Sequence, residues 1–232
     1  MLQFVNAPPQ YRYERKFVLQ DIPHAEVIHR IRMHPALFRE IYYPRQINNI
    51  YLDTEDLRFF TDNLVGVADR KKVRVRWYGK TFGRVQNPKL EYKIKAGLLG
   101  DKHTYSVPDF TVEPPFSDKK FAAHLQHADL PPSVAEELKM LRPTLLNSYR
   151  RTYFQTADKK FRLTADEKLT YYRTDRPESH FQAQQIERGR IILELKYSPE
   201  HDRAAGKVMN LLPFRLDKSS KYVTGVELFQ RF

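Results

Sequence analysis

The sequence predicts an α+β protein dominated by antiparallel strands, and two observations carry that reading. Short segments with period-two alternation recur from the first dozen residues to position 197, with helical patterns falling between them. At least five of those segments also carry one charged face and one largely apolar face. A length of 232 residues fits a single large barrel or sandwich, so one domain over residues 1–232 is expected.

Residues 11–19 alternate well enough for a strand, and Asp21 then offers an N-cap to a helix over 23–33. Residues 46–53 read as the next strand, after which Thr54 can cap a short helical turn through Glu55, Leu57 and Phe60. Three strands follow at 72–78, 89–95 and 102–107, separated by Gly79, Gly83, Asn87, Pro88, Gly97 and Gly100. Residues 114–141 change character. They read as two helices, 118–127 and 133–140, around Pro131 and Pro132, inserted between two β halves. Strands resume at 148–156, 160–165, 169–174 and 190–197, and helical segments at 199–210 and 218–231 close the chain.

Forty Lys+Arg against 28 Asp+Glu leave a formal charge of +12. That excess argues for an anionic partner: nucleic acid, a membrane surface or a phosphorylated small molecule. The absence of cysteine excludes disulfides, cysteine zinc sites and thiol nucleophiles. No apolar run approaches the roughly 18 residues that span a bilayer, and the first residues lack the organisation of a secretory signal. A cytoplasmic location is expected, with a membrane-protein partner left open. The eight histidines show no ligand spacing, and no Ser-His-Asp arrangement is evident.

Parity assigns the charged faces. Arg12, Glu14 and Lys16 share a side, as do Arg74 and Arg76; Glu91, Lys93 and Lys95; Arg162, Thr164 and Asp166; and Glu194 and Lys196. Such faces can simply be solvated, as in a one-sided sheet or a sandwich. In a sheet closed on itself they would instead line a tunnel, beneath outer helices that cover the apolar faces. A lumen of arginines and lysines needs a polyanion to offset its repulsion, and the interspersed carboxylates could hold a divalent cation.

The set Arg12-x-Glu14-x-Lys16, Arg74-x-Arg76, Glu91-x-Lys93, Tyr149-Arg150-Arg151, Arg162-Leu163-Thr164, Glu194-Leu195-Lys196 and Lys218-Ser219-Ser220-Lys221-Tyr222 resembles a known family in its order. It is similar to the polyphosphate-polymerase (VTC, vacuolar transporter chaperone) domain of the triphosphate tunnel metalloenzyme superfamily. The likeness spans about residues 10–230. Arg12 stands where the related CYTH branch opens with a glutamate, which resembles the polymerase branch. No SPX domain or membrane helices accompany it, so the chain resembles a stand-alone, bacterial-type version.

The resemblance implies an antiparallel eight-stranded β tunnel, or barrel, with a polar basic lumen and helices packed outside. It implies transfer of the terminal phosphate of ATP to a growing inorganic polyphosphate chain with release of ADP, assisted by Mn²⁺ or Mg²⁺. Carried over by position, Lys16, Arg74, Arg76, Lys93, Arg151 and Arg162 would act on the transferred phosphate. Tyr149, Lys196, Lys218, Ser220 and Lys221 would bind phosphate, and Glu194, Glu14 and Glu91 would hold metal. Asp166 reads as structural. A tripolyphosphate or nucleoside triphosphate hydrolase is the second expectation and a non-catalytic polyphosphate-binding module the third, while nucleic acid ranks last as a partner.

Overall fold

A computed structural model of the chain describes residues 12–96, 99–174, 178–181 and 184–230. Positions 11 and 231, at the ends of two expected elements, lie outside them. The first half runs β1 (Tyr13–Gln20), α1 (His24–Arg32), β2 (Arg39–Asp53), α2 (Arg58–Val65), β3 (Asp69–Tyr78), β4 (Gly83–Val85), β5 (Lys89–Ala96) and β6 (Leu99–Ser106). Then come β7 (Phe110–Val112), β8 (Phe116–Ser117), α3 (Asp118–Leu125) and α4 (Pro132–Lys139). The second half runs β9 (Arg142–Gln155), β10 (Arg162–Arg173), β11 (Glu178–Ser179), β12 (Gln184–Glu187), β13 (Arg190–Tyr197), α5 (Asp202–Asn210) and α6 (Lys221–Gln230).

The principal sheet orders its strands β1-β13-β10-β9-β2-β3-β5-β6, with β12 added against β10. Its ladders are antiparallel throughout. That path has the eight strands the resemblance implies, since two of the nine segments read from the sequence fuse into β10, and they curl into a tunnel-like wall. The two edges do not share a ladder. β1 meets β6 at an isolated bridge between Arg12 and Gly100.

Period-two alternation decides what each side of this wall packs against. On one outer flank, Val73, Val75 and Trp77 of β3, with Leu90 and Tyr92 of β5, form a core with Phe121 and Leu125 of α3 and Val134 and Leu138 of α4. On the other, Phe17, Leu163, Leu193 and Leu195 pack beneath Val27 and Ile31 of α1 and Ala205 and Val208 of α5. Burying each such side chain contributes roughly 1.5–3 kcal/mol, so the alternation itself selects which face turns inward.

One helix departs from the expectation that helices pack outside. Tyr222 and Val226 of α6 cluster with Ile47, Tyr51, Leu145, Tyr149, Leu169 and Tyr171, which belong to the inner face. Tyr51 and Tyr222 stack with ring centroids 4.8 Å apart. Gly225 makes this insertion feasible, because a Cβ there would run into Leu145 Cδ2 and come within 2.6 Å of Tyr171 Cδ1. Tyr222 Oη donates to Asp53 Oδ2 at 2.5 Å, while the Asp53 carboxylate also accepts from the amides of Phe59 and Phe60 at the start of α2. A single buried carboxylate therefore anchors α2 and α6 together.

Other differences are local. Asp21 makes no cap, since its φ of 57° turns the chain and Pro23 precedes α1 without a capping hydrogen bond. α2 starts at Arg58, later than Thr54, although Thr54 Oγ1 does accept from the Arg58 amide. The strands expected at 160–165 and 169–174 are one strand, β10, interrupted by a register shift between Glu167 and Thr170, with Lys168 at φ 55°. The short pairs β4–β7 and β8–β11 were not expected, because segments of two or three residues carry no readable alternation. α6 begins at Lys221 and not at 218, which places Lys218 in the preceding loop.

Candidate active site

The inner face gathers the charged half of each strand. β1 contributes Glu14 and Lys16, β3 contributes Lys72, Arg74 and Arg76, and β5 contributes Glu91 and Lys93. β9 supplies Tyr149 and Arg151, β10 supplies Thr164 and Asp166, β13 supplies Glu194 and Lys196, and α6 adds Lys221. The β1–β13 register sets Lys16 opposite Glu194 and Glu14 opposite Lys196. The β3–β5 register sets Arg74 opposite Glu91 and Lys72 opposite Lys93.

Three acidic hubs hold these cations. Glu91 Oε2 accepts from Arg74 Nε at 2.9 Å and Nη2 at 2.6 Å, with Arg76 Nη1 at 3.5 Å and Lys102 Nζ 3.2 Å from the other oxygen. Asp166 receives both prongs of Arg151, at 2.5 and 2.7 Å, and Lys221 Nζ at 2.6 Å. Glu14 and Glu194 form the third. Lys93 donates to both oxygens of Glu14 at 2.8 and 2.6 Å, and Lys196 lies 3.3 Å from Glu194 and 3.8 Å from Glu14.

Lys16, Lys72, Arg74, Arg76, Lys93, Arg151, Lys196 and Lys221 face the four carboxylates Glu14, Glu91, Asp166 and Glu194, and Lys95 and Lys102 add further cations on β5 and β6. The strain of that surplus of cations shows in the titration. Burial, together with Lys93 and Lys221, pulls Lys16 down to about 8. Burial also drives Lys72 well below the usual lysine range, helped by Lys16 and Lys93. Although burial raises Tyr149, Arg76 and Arg151 outweigh it and bring the phenol down to about 8. Burial opposes ionisation of Asp166 too, yet Arg151 and Lys221 hold it at about 2. Glu14 ends below its ordinary value despite burial and the nearby Glu194, because Lys93 and Lys196 prevail. Glu91 and Glu194 are likewise held ionised by the cations around them against the effect of burial.

Two buried polar atoms of this face have no hydrogen-bond partner within the protein, Thr164 Oγ1 and Asn147 Nδ2. Buried donors and acceptors are ordinarily satisfied, so a ligand or water is the natural partner for both. Asn147 is steadied by Asn49, which donates to its Oδ1 at 2.7 Å while accepting from Arg76 Nε at 2.8 Å. Arg76 Nη2 in turn donates to Tyr149 Oη at 3.1 Å. Lys16 Nζ donates to the carbonyl of Ser219 at 2.7 Å, tying β1 to the loop before α6.

The expected residues are placed unevenly. Lys16, Arg74, Arg76, Lys93, Tyr149, Arg151, Lys196, Lys221, Glu14, Glu91 and Glu194 converge on the lumen. Arg162 lies on the same face but is exposed at the strand end, opposite Lys196 and Gln155. Lys218 is exposed in the loop and does not share a helical face with Lys221. Ser220 Oγ accepts from the Val223 amide at 3.3 Å and so caps α6. Lys72 escaped the sequence reading although it has the parity of Arg74 and Arg76, and that parity was the available signal. Asp166, expected to be structural, is fully buried at the centre of the second hub.

A ladder of alternating cations and aromatic rings leads out of the lumen. Lys221 Nζ sits 4.7 Å from the Tyr149 ring centroid, and the Arg151 guanidinium lies over Tyr149 at 5.3 Å and Tyr153 at 6.0 Å. Arg45 then covers Tyr153 at 5.6 Å, Tyr78 at 5.6 Å and Tyr42 at 4.5 Å. Tyr42 and Tyr78 are half-exposed, at 50% and 54%, so this end reaches solvent. Further along the inner face, α6 packs Tyr222 and Val226 against Ile47, Tyr51, Leu145 and Tyr171.

Compared with known protein families, residues 11–230 match the VTC domain. The chain belongs to that family. Among curated proteins no sequence matches significantly. Solved structures that resemble this VTC chain include a Vibrio parahaemolyticus protein described as a candidate adenylate cyclase. Its TM-score is 0.51 at 11% identity, covering 94% of this chain and 99% of that one. A candidate adenylyl cyclase from Hippeastrum, described as having a dominant triphosphatase activity, aligns at TM-score 0.49 and 14% identity, over 92% of this chain and 95% of that one. The Vibrio likeness shows the tunnel-like fold.

A divalent cation implied by the VTC resemblance finds a fitting donor set at Glu14 and Glu194. They are diagonal neighbours across β1–β13, and each works against the other's ionisation. Among the described residues no three His, Cys, Asp or Glu side chains converge. A Mg²⁺-like ion commonly takes one or two carboxylates and completes its shell with water and substrate phosphate. Glu91 faces three cations, Arg74, Arg76 and Lys102, where Glu14 has Lys93 and Lys196 and Glu194 has Lys196 and Arg151. No helix among the described residues is long and apolar enough to cross a membrane.

Proposed function

We propose that this VTC chain is a metal-dependent polyphosphate polymerase, transferring the terminal phosphate of ATP to the end of an inorganic polyphosphate chain and releasing ADP. The observation that carries it is the surplus of lumenal cations over carboxylates around the unpartnered Thr164 Oγ1 and Asn147 Nδ2. Without ligand the cations rest on the lumen's own carboxylates. Phosphate oxygens would replace those carboxylates on Arg74, Arg76, Arg151 and Lys221, while Lys16 and Lys93 would neutralise charge from β1 and β5.

Phosphoryl transfer needs positioning and charge neutralisation more than covalent help. In the step, a terminal oxygen of the chain forms a bond to the γ-phosphorus, the β–γ bridging bond breaks, and ADP leaves with its electron pair. The acceptor is already an anion and needs no general base. This suits a lumen whose four carboxylates all sit below their ordinary values because of the arginines and lysines around them. A divalent cation held by Glu14 and Glu194 would polarise the phosphate oxygens and offset their charge.

A triphosphate hydrolase is the second reading, favoured by the two groups near pH 8, Lys16 and Tyr149, either of which could take a proton from water. Incubating the protein with ATP, Mn²⁺ or Mg²⁺ and a short polyphosphate primer separates them. Long chains with equimolar ADP, lost in Arg74→Ala/Arg76→Ala, are expected. Free phosphate without chains would select the hydrolase. Binding without turnover would leave a polyphosphate-binding module.

A further inference from the structure

Neither the phosphate chemistry nor the metal accounts for the exposed end of the cation–aromatic ladder. Tyr42 and Tyr78 are 50% and 54% exposed, large rings left half in solvent beside the charged part of the lumen. Arg45, itself exposed, makes no ion pair among the described residues. Its guanidinium is instead shared by the faces of Tyr42, Tyr78 and Tyr153. Tyr42 meets Tyr153 edge-on, with centroids 5.6 Å apart and planes at 90°, so the cluster is built rather than splayed.

Its position relative to the phosphate-binding arginines is fixed by the strands. Tyr78 follows Arg76, and Tyr153 follows Arg151, by two residues on the same face, about 7 Å further along each strand. Arg45 pairs with Arg151, and Tyr42 with Tyr153, across β2–β9. A triphosphate lying among Arg76, Arg151 and Lys221 therefore has aromatic surface one step outward, where the next groups of a nucleotide would emerge. Inorganic phosphate chains have no flat face to place there. A purine or pyrimidine has one, and it stacks on tyrosine rings and on arginine guanidinium planes alike.

We propose that Tyr42, Arg45 and Tyr78, supported by Tyr153, form a nucleoside subsite at the open mouth, on which the base of a nucleoside triphosphate stacks while its phosphates lie in the lumen. The subsite rests on the phosphate-binding reading of the lumen. It adds where the nucleoside of the donor lies, base outward at this mouth, and which side chains hold it. The contacts within the cluster run through ring and guanidinium faces, and stacking on them does not separate adenine from guanine nucleotides.

Calorimetric titration of the full chain with ATP, GTP and inorganic tripolyphosphate, each with Mg²⁺, tests this. In Tyr42→Ala/Tyr78→Ala, ATP and GTP affinity is expected to fall roughly 5- to 100-fold, with tripolyphosphate affinity unchanged. Tyr42→Phe/Tyr78→Phe should retain nucleotide affinity, because stacking needs the ring and not the hydroxyl. Unchanged nucleotide binding in the alanine variant overturns the subsite, and so does an equal loss for nucleotide and tripolyphosphate. Wild-type protein that binds tripolyphosphate but gains nothing from the nucleoside also overturns it, leaving the lumen reading intact. Failure to bind any of the three removes both.

Discussion

Replacing Asp166 with asparagine would strip Arg151 and Lys221 of the carboxylate they share. Asp166 is 0% exposed and receives three donors within 2.5–2.7 Å, so both cations would stay buried without that partner. Breaking one side of a buried ion pair costs about 3–5 kcal/mol. The depression of Asp166 to about 2 leads to a similar order, about 2–3 kcal/mol at neutral pH. A loss of about 3 kcal/mol lowers the melting midpoint of a chain this size by about 6–12 °C. Because the folded pKa lies below the unfolded one, this stability is present above the unfolded value and disappears as pH falls through about 2. Urea and thermal unfolding of wild type and Asp166→Asn at pH 7, 5 and 3.5 should therefore show a full gap at the two higher values and a narrower one at the lowest. A difference under about 1 kcal/mol at pH 7, or a gap that does not respond to acid, would refute the reasoning.

Triphosphate binding should weaken above about pH 8, where Lys16 loses its charge and Tyr149 gains one. Tyr149→Phe should flatten part of that decline in titrations at pH 7 and 9, and remove a tyrosinate absorbance rising near pH 8. Glu194→Gln should raise the divalent-ion concentration needed for turnover by about tenfold or more, since one of two metal donors is lost. Glu91→Gln should leave that requirement unchanged and instead tighten phosphate binding, because Arg74 no longer has a carboxylate to give up to the ligand, as activity and binding across a Mn²⁺ series would reveal. Tyr222→Phe removes the donor to the buried Asp53 and should cost about 1–3 kcal/mol in chemical denaturation.

Strand parity was legible because a single rule, side chains on alternate faces, sorts Arg74 and Arg76 from Val73, Val75 and Trp77 without any tertiary information. The same rule found Glu14, Lys16, Glu194 and Lys196. It failed where geometry departs from regularity. The register shift after Glu167 moves Leu169 and Tyr171 onto the inner face, which a split into two strands concealed. Lys218 and Ser220 read as phosphate contacts because they share a motif with Lys221. Only the start of α6 decides that Ser220 caps, Lys218 faces solvent and Lys221 points inward. The inner placement of α6 is equally invisible from its sequence, because Tyr222, Gly225 and Val226 would suit an outer surface as well. Arg45 and its tyrosines went unnoticed, being drawn from β2, β3 and β9 and brought together only by the curvature of the wall.

The lumen takes Glu14 and Lys16 from near the start of the chain, Glu194 and Lys196 from β13, and Lys221 from α6, with Tyr13 paired to Tyr197. Such long-range pairing predicts slow folding, because loops of this size must close before the contacts that reward them exist. It also means that no contiguous fragment carries the constellation. A polyanion seated there would bridge segments that global unfolding must separate. Its binding energy is thus added to the stability of the whole chain, about 2.7 kcal/mol at a ligand concentration one hundred times its Kd. In a cell rich in such anions, the substrate would shield the protein from proteolysis, and depletion of substrate would shorten its lifetime.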